Sequence, residues 1–272
     1  MKSISFGQYY PAKSLLHSLD PRVKIILTIL YIVCSFMCRN ILSYALLLIS
    51  AVLLVILGRI PLNIVLRGLR GVLFILVFTA LLNVFWTSGN MLLFEWKFIK
   101  IYVEGLYSAL FIIIRIFSLI IGTSMFMTYT TTPIALTNAI EDLLSPLKKL
   151  HVPVHNFAMM MTIALRFIPT LTEETDRIMT AQKARGADFS SGGLIARAKS
   201  LIPVLIPLFV SAFNRAGDLA TAMECRCYNG GEGRTRMTVP HIRLRDIISF
   251  TLIAFLGTAL VVLNMVGIGY TA

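Results

Sequence analysis

The sequence predicts an all-α membrane protein with about five transmembrane helices and a cytoplasmic domain of amphipathic helices. Apolar residues make up 57% of the 272 positions, and the mean hydropathy of +0.81 is higher than soluble domains carry. Five apolar runs approach the length needed to cross roughly 30 Å of hydrocarbon. Two further long helical patterns, between the fourth run and the fifth, are too charged for a bilayer.

The five apolar runs lie on either side of one long polar segment. The first two are separated only by Arg39-Asn40, which predicts a tight helical hairpin, and a short interfacial stretch at 63–70 precedes the third. These runs divide the chain into an N-terminal membrane part at 1–130, a cytoplasmic part at 131–246, and a last span with the C-terminus at 247–272. The predicted spans are Val23–Cys38, Ile41–Leu57, Gly71–Trp86, Gly105–Met127 and Ile247–Ile268.

The basic charge follows this layout. The chain has a net charge of +12. With the N-terminus inside, 21 of the 25 Lys and Arg residues lie on the inner side and three on the outer side. The positive-inside rule discounts long loops, yet the short segments give seven against three. We therefore predict a cytoplasmic N-terminus and a cytoplasmic 131–246 segment, and topology rather than nucleic-acid binding explains the charge.

The 131–246 segment contains a short amphipathic helix and two long ones. A threonine followed by Pro133 is typical of a helix start. The first long pattern runs from just after Pro153 to Arg185, and the second from Leu194 to Cys227. Both carry several charged residues in their second halves, and a charge at the bilayer centre costs about 3 kcal/mol or more. We expect two crossed or paired helices at the cytoplasmic surface.

Both long helices end in the same way, with an arginine between small residues. Seven residues separate each arginine from an apolar residue of its helix stripe, so the arginine lies at the helix tip. A guanidinium is a planar, permanently charged fork that suits a carboxylate of a partner. The alternative is that each cation only offsets the negative end of its helix. The two arginine boxes are Ala184-Arg185-Gly186 and Cys225-Arg226-Cys227.

The order of these boxes on a five-span layout resembles the CbiQ family, the transmembrane components of energy-coupling factor transporters. The likeness covers essentially the whole chain, although Cys225 replaces the alanine usual in that family. Besides the two boxes, it is carried by Leu16-His17-Ser18-Leu19-Asp20-Pro21-Arg22-Val23-Lys24 and by Gly230-Gly231-Glu232-Gly233-Arg234-Thr235-Arg236.

The resemblance implies a subunit of a multi-protein importer in the bacterial cell membrane. In this family, two arginine-tipped coupling helices dock onto a pair of cytosolic ATP-binding subunits. A separate membrane subunit, the S component, either dedicated or exchangeable, binds the substrate, which is a vitamin or a transition-metal ion. Arg185 and Arg226 would then each pair with acidic groups on one ATPase.

Apolar residues on the surface between the two long helices are candidates for contact with the substrate-binding subunit. Neither a bilayer nor ATPase docking explains their apolar area. The methionine run that begins at Met159 is also compatible with a core position. The candidates are Met160, Met161, Ile202 and Leu205.

Arg115, in the fourth predicted span, is the intramembrane candidate. An ionisable residue at this depth indicates function, but pairing with Asn83 or with a partner's carboxylate would be structural. The glycines from Gly230 to Gly233 lack the Gly-Lys-Ser/Thr ending of a phosphate loop. His151 and His155 flank a proline, so no metal site is predicted.

These observations favour a scaffold that couples other subunits and has no active site or cofactor of its own. The alternative is a self-sufficient secondary transporter or channel. That alternative would need ionisable residues along several spans, or inverted repeats of broken spans, and only Arg115 lies deep. A membrane enzyme is a weaker alternative, because no acid, base or metal cluster converges.

Overall fold

A computed structural model describes residues 9–87, 92–96, 99–150, 152–189, 191, 193–230 and 243–266. The chain forms two compact units, one of which is inserted into the other. The bundle unit comprises Met1–Leu136 and Val239–Ala272, and the inserted unit comprises Thr137–Thr238. The predicted boundaries at 130/131 and 246/247 lie within eight residues of these, while the cytoplasmic location of 131–246 stays a prediction.

The all-α class is confirmed, with five long helices in the bundle unit. The third helix begins earlier than predicted, because no proline interrupts 62–86, and Val65 and Leu69 are buried one turn apart. The predicted interfacial stretch at 63–70 is therefore wrong as a separate element. The helices are α1 Pro21–Met37, α2 Ile41–Gly58, α3 Leu62–Trp86, α4 Val103–Thr123 and, after the inserted unit, α9 Leu244–Val266.

Two features of the bundle unit were not predicted. An antiparallel hairpin of β1 Leu92–Trp96 and β2 Ile99–Tyr102 precedes α4, with Glu95 opposite Lys100. A π-helical turn, Ser124–Thr128, continues α4 at its end. A π turn leaves no trace in hydrophobic periodicity, and π turns often lie at functional sites.

Among the described residues, five helices are long and apolar enough to cross a membrane, but they are not all the predicted spans. Four are α2, α3, α4 with its π turn, and α9. The fifth is Ile195–Cys225 of the inserted unit, whose first half is rich in leucine, isoleucine and phenylalanine. Helix α1 has 17 residues, the shortest length that spans hydrocarbon.

Side-chain hydrogen bonds hold α9 along α1 at both ends. Near the start of both helices, the carboxylate of Asp246 accepts the Asp20 N–H at 2.9 Å. Near the other end, Asn264 donates to the Met37 carbonyl at 2.5 Å and accepts from the Ser43 hydroxyl at 2.9 Å. Helices α1 and α9 therefore run in the same direction, as two spans separated by an odd number of crossings must.

Contacts at the start of α1 place the other helices in alternating directions. The Lys24 ammonium, in the first turn of α1, donates to the Thr130 carbonyl just past α4, at 2.9 Å. The Tyr129 hydroxyl lies 3.5 Å from the Ile64 carbonyl in the first turn of α3. The start of α3 thus lies beside the end of α4. Helix α2 runs back from the hairpin turn that follows α1. The five helices therefore alternate in direction, and α1 fits this arrangement as a span.

The core of the bundle unit is built from large aromatic side chains packed against glycine and other small residues. The rings of Tyr44 and Phe111 stack with centroids 4.6 Å apart, and both side chains are buried. The ring of Tyr31 lies directly over the backbone of Gly122 in α4. This close approach of α1 and α4 requires that no side chain be present at position 122.

The first part of the inserted unit is a short helix followed by a long one. Helix α5, Pro133–Leu143, crosses the boundary at Leu136/Thr137 without a loop and leads through a 3-10 turn, Ser145–Leu150, to α6, Val154–Ala184. His155 in the first turn of α6 lies 2.9 Å from the Glu141 carboxylate of α5. His151 and most of the glycine-rich stretch after Gly230 lie outside the described residues.

The second predicted long helix is broken into α7, Leu194–Ser200, and α8, Ile202–Cys225. Leu201 lies between them, and Pro203 occupies the first turn of α8. Proline is tolerated there because it has no N–H to donate, whereas inside a continuous helix it would clash with the carbonyl four residues before it. The prediction of one helix over 194–227 is therefore wrong at this point.

We expect Gly122→Ala to destabilise the bundle unit by about 1–3 kcal/mol, since the added methyl overlaps the Tyr31 ring. Gly71→Ala is the matched control, because Gly71 is also helical and nothing lies within 4 Å of the added methyl. That change should be neutral or stabilise by up to about 1 kcal/mol. Thermal unfolding of both purified variants in detergent measures the difference. Equal melting temperatures for the two would contradict the close packing of α1 on α4.

Candidate functional site

Helices α6 and α8 are joined by a charged hydrogen-bond cluster midway along α6. The Glu174 carboxylate accepts from the Ser211 hydroxyl at 2.7 Å and from the Arg215 guanidinium at 2.7 Å. Arg215 Nε lies 3.4 Å from the Ser211 hydroxyl, which completes the triangle. The hydrogen bond from Ser211, with the charge and hydrogen bond of Arg215, lowers the pKa of Glu174. The carboxylate therefore stays ionised at neutral pH.

A second contact shows that the two helices run in opposite directions. The Tyr228 hydroxyl, just past the end of α8, lies 3.0 Å from the Met159 sulfur in the second turn of α6. Glu174, fifteen residues further along α6, meets residues of α8 that precede Tyr228 by 13 and 17 positions. Later residues of α6 thus contact earlier residues of α8, so the two helices pack antiparallel.

The antiparallel pairing places the two arginine boxes at opposite ends of the helix pair. Arg226 lies near the start of α6 through the contact of Tyr228 with Met159, whereas Arg185 follows the last residue of α6. At 1.5 Å per residue, the length of α6 between these levels is about 35 Å. The boxes are therefore two separate sites, each able to meet its own partner.

Both tips end in the same backbone motif. At the first tip, the Ala187 N–H donates to the Gln182 carbonyl at 3.0 Å, and the Gly186 N–H donates to Lys183 at 3.0 Å. At the second tip, the matching bonds are Tyr228 to Met223 at 3.1 Å and Cys227 to Glu224 at 2.9 Å. This pair of crossed bonds is the Schellman motif.

The motif requires a left-handed residue directly after each arginine. Gly186 has φ of +87°, which costs glycine nothing, whereas Cys227 has φ of +55°. For a residue with a side chain this conformation costs about 1–2 kcal/mol. The two arginines take nearly equal backbone angles, φ −87° and ψ 8° for Arg185 against φ −93° and ψ 14° for Arg226. The likeness of the two boxes therefore extends to their geometry.

Both arginine side chains are free to meet a partner. Arg185, Arg226 and the small residues on either side of each are exposed. Within the part of the chain that the structure describes, neither guanidinium has a recorded hydrogen bond or ion pair. Two exposed cations on capped helix ends, each between small side chains, leave room for the backbone of another protein to approach closely.

The antiparallel pairing separates the apolar candidates into two groups. Met160 and Met161, near the start of α6, lie at the end of the pair where α8 finishes. Ile202 and Leu205, at the start of α8, lie toward the opposite end, where α6 finishes. Met160, Met161, Ile202 and Leu205 all lie between 40% and 57% exposed. The stripe predicted along α6 is itself exposed where it begins, at Phe157 and Met161, and becomes half-buried from Ile168 onward. Part of the apolar area of α6 is thus left uncovered within the inserted unit.

Arg115 has structural partners other than the predicted one. Its guanidinium donates to the Tyr44 hydroxyl and to the carbonyl of Cys38, the latter at 3.1 Å. Cys38 is the C-cap residue of α1. Arg115 therefore satisfies a carbonyl that has no hydrogen-bond donor within the helix. Asn83 instead donates to Thr79 within α3 at 2.9 Å. The suggested pairing with Asn83 is wrong.

The contact of Glu174 with Ser211 and Arg215 was missed by sequence reasoning. In the sequence, Glu174 and Arg215 stand out only as charges unsuited to a bilayer, and Ser211 does not stand out. The spacing of Ser211 and Arg215, four residues apart on one helix face, is the one signal that pointed to a shared acceptor. Nothing in the pattern identified Glu174 as that acceptor.

Five side-by-side helices of alternating direction, with an inserted unit that carries two arginine-tipped helices, define a multi-pass membrane protein. The model of the CbiQ family, described as cobalt transport protein, matches residues 12–237. The chain belongs to the CbiQ family and is a membrane component of the energy-coupling factor class of transporters.

Relatives from several bacteria match this chain over nearly their whole length, and each is named energy-coupling factor transporter transmembrane protein EcfT. The protein of Ruminiclostridium cellulolyticum is 56% identical over 237 residues, which is 87% of this chain and 88% of the relative. The protein of Clostridium kluyveri is 50% identical over 92% of each chain. That of Bacillus subtilis is 49% identical over 87% of this chain and 89% of the relative.

We expect Cys227→Gly to stabilise the tip of α8 by about 1 kcal/mol, because glycine adopts positive φ without the steric cost that cysteine bears. Cys225→Gly is the control, since Cys225 is the last helical residue of α8 and glycine there should cost about 1 kcal/mol. Gly186→Ala should weaken the first tip by a similar amount.

Hydrogen exchange of the Cys227 and Tyr228 amides, which close the cap of α8, measures this effect. Protection should rise in Cys227→Gly and fall in Cys225→Gly. Changes of the same sign in both variants would show that position 227 has no special backbone requirement.

Proposed function

We propose that this chain is the scaffold subunit of an ATP-driven importer and couples two cytosolic ATP-binding subunits to a separate substrate-binding membrane subunit. It has no active site of its own. The N-terminus and the inserted unit face the cytoplasm, in agreement with the inner bias of Lys and Arg. The names of the relatives and the family match support a place in a transport complex of several subunits.

The placement of the two arginine boxes is the observation that carries this proposal. Two tips with one backbone motif, about 35 Å apart along α6, suit a partner that is itself a pair of similar subunits. Each tip would enter a groove on one ATPase, where Arg185 or Arg226 forks onto a carboxylate. Closure of the ATPase pair on binding ATP would then move both tips.

The substrate would be selected outside this chain, by the S component. The two exposed apolar groups, Met160 with Met161 and Ile202 with Leu205, are suitable contacts for such a membrane subunit, since they are apolar yet belong to a unit with charged helices. A vitamin or a transition-metal ion is the substrate class that the family suggests, and the family description as a cobalt transport protein agrees with the second.

Removing one member of a desolvated charge pair costs about 2–5 kcal/mol, or roughly thirtyfold to several thousandfold in affinity. We therefore expect Arg185→Ala or Arg226→Ala to weaken attachment of the ATP-binding subunits by this order, and the double variant to lose it nearly completely. Arg→Glu should be worse than Arg→Ala because it adds repulsion. Titration of the purified ATPases onto the chain in nanodiscs measures the affinity.

Two controls make this test specific. Arg67→Ala removes an exposed arginine of α3, outside the inserted unit, and should leave the affinity unchanged. Arg→Lys keeps the charge but loses the fork, so a partial loss is expected. Full rescue by lysine, with alanine costing only about 0.3–1 kcal/mol of stability, would favour the helix-dipole role. Normal attachment of the ATPases to the double alanine variant would exclude the docking role.

A charged residue at Met161 or Leu205 should release the substrate-binding subunit while the ATP-binding subunits stay attached, since a charge in a desolvated apolar contact has no partner. Ile195→Glu serves as the control, because Ile195 is also apolar and exposed but lies in α7. Co-purification of the whole complex from native membranes, quantified by mass spectrometry, measures both attachments. Loss of the ATPases before the membrane subunit would mean that the two surfaces are reversed.

A further inference from the structure

The N-terminal motif around Asp20 and Lys24 has no role in the proposed function, yet it contains the most deeply buried charges of the bundle unit. Lys24 and Asp246 are 1% and 2% exposed, and Asp20 is 7% exposed. The carboxylates of Asp20 and Asp246 are close enough to Lys24 to interact electrostatically with its ammonium. Buried charges are costly unless they are paired, so a cluster of this kind calls for a reason.

One half of this cluster fixes the point where the chain leaves the bundle unit. The Lys24 ammonium donates to the Thr130 carbonyl at 2.9 Å. The hydroxyls of Thr130 and Thr131 in turn donate to Phe126, and the Thr132 hydroxyl accepts the Ala135 N–H at the start of α5. Helix α5 then runs across the boundary at Leu136/Thr137 as one continuous element.

The other half fixes the point where the chain returns. One Asp246 oxygen accepts the Asp20 N–H at 2.9 Å, and the other accepts the Arg243 N–H at 2.7 Å. Asp246 lies in the first turn of α9, which begins six residues after the inserted unit ends. One carboxylate thus joins the starts of α1 and α9.

We propose that Asp20, Lys24 and Asp246 are positioning residues that lock both chain crossings to the start of α1, so that movement of the inserted unit is passed to the spans. This inference rests on the proposed function, because it presumes an ATP-driven movement of the coupling helices. Without the lock, the end of α4 and the start of α9 would deform locally. The movement would then be absorbed at the crossings and would not reach the spans. The three side chains touch neither substrate nor nucleotide.

The test compares this lock with a hydrogen-bonded staple of the same helices at their other end. Lys24→Met removes the ammonium at similar length. Asp246→Asn keeps the shape but can accept only one of the two backbone donors. Asn264→Ala is the matched control, since it removes the bonds from α9 to Met37 and Ser43, far from the crossings.

The measurement follows a distance within the bundle unit of the assembled complex, with this chain, the ATP-binding subunits and the substrate-binding subunit in nanodiscs. Spin labels, attached through noncanonical amino acids, replace two exposed side chains, Ile56 near the end of α2 and Ile248 near the start of α9. The distance is recorded without nucleotide and with ATP and vanadate. Thermal stability of each complex and retention of the ATPases are measured alongside.

We expect the unaltered chain and Asn264→Ala to show a nucleotide-dependent shift in the distance. Lys24→Met and Asp246→Asn should lose the shift while the ATPases stay bound. If Lys24→Met fails to assemble, the isosteric Asp246→Asn decides the matter.

Three outcomes overturn the inference. The first is a normal shift in assembled Asp246→Asn. The second is the same loss of shift in Asn264→Ala. The third is failure of both lock variants to assemble. The second and third outcomes would each show that the cluster has only a general structural role. If the unaltered chain binds no ATPases, the proposed function itself fails. If it binds them without any shift, only the inference fails.

Discussion

The architecture of the bundle unit depends on how α1 is held at its two ends. A helix of 17 residues is barely long enough to cross hydrocarbon. The backbone N–H and C=O groups at its two ends would lack hydrogen-bond partners in a medium that offers no water. Side chains from distant parts of the sequence supply hydrogen bonds to the backbone at both ends. Asp246 binds the backbone before α1, whereas Asn264 and Arg115 bind the carbonyls of Met37 and Cys38. The first, fourth and last spans are thereby fixed to one another.

In the inserted unit, the two long helices pack together while their tips lie apart. Antiparallel packing achieves this separation, and the contact of Glu174 with Ser211 and Arg215 lies well away from either tip. The ion pair is part-exposed, so its net contribution is modest. Its directional hydrogen bonds define which residues of α6 and α8 face each other.

Local features of this fold could be predicted from the sequence, whereas long-range ones could not. Apolar runs gave four spans nearly to their ends, and the cap residues Thr132 and Gly186 marked a helix start and a helix stop. The break at Leu201 was missed because Pro203 was read as part of a continuing helix. At the arginine tips, the residue pattern indicated the match, but the left-handed conformation of Cys227 has no sequence signal, since cysteine rarely adopts it. The partners of Arg115 and Asp246 lie about 70 and 226 residues away in sequence, where periodicity carries no information.

The two backbone caps give the arginine tips a mechanical property that exposed side chains on a loop would lack. Because crossed hydrogen bonds close each helix end, the direction in which Arg185 and Arg226 leave the backbone is set before any partner arrives. If the tips dock as proposed, only side-chain freedom would be lost on binding, which reduces its entropy cost. The tips lie at opposite ends of one helix pair, so any displacement of one tip relative to the other has to be accommodated where α6 meets α8. The contacts of Glu174 with Arg215 and of Met159 with Tyr228 therefore determine how far the two tips move as one body.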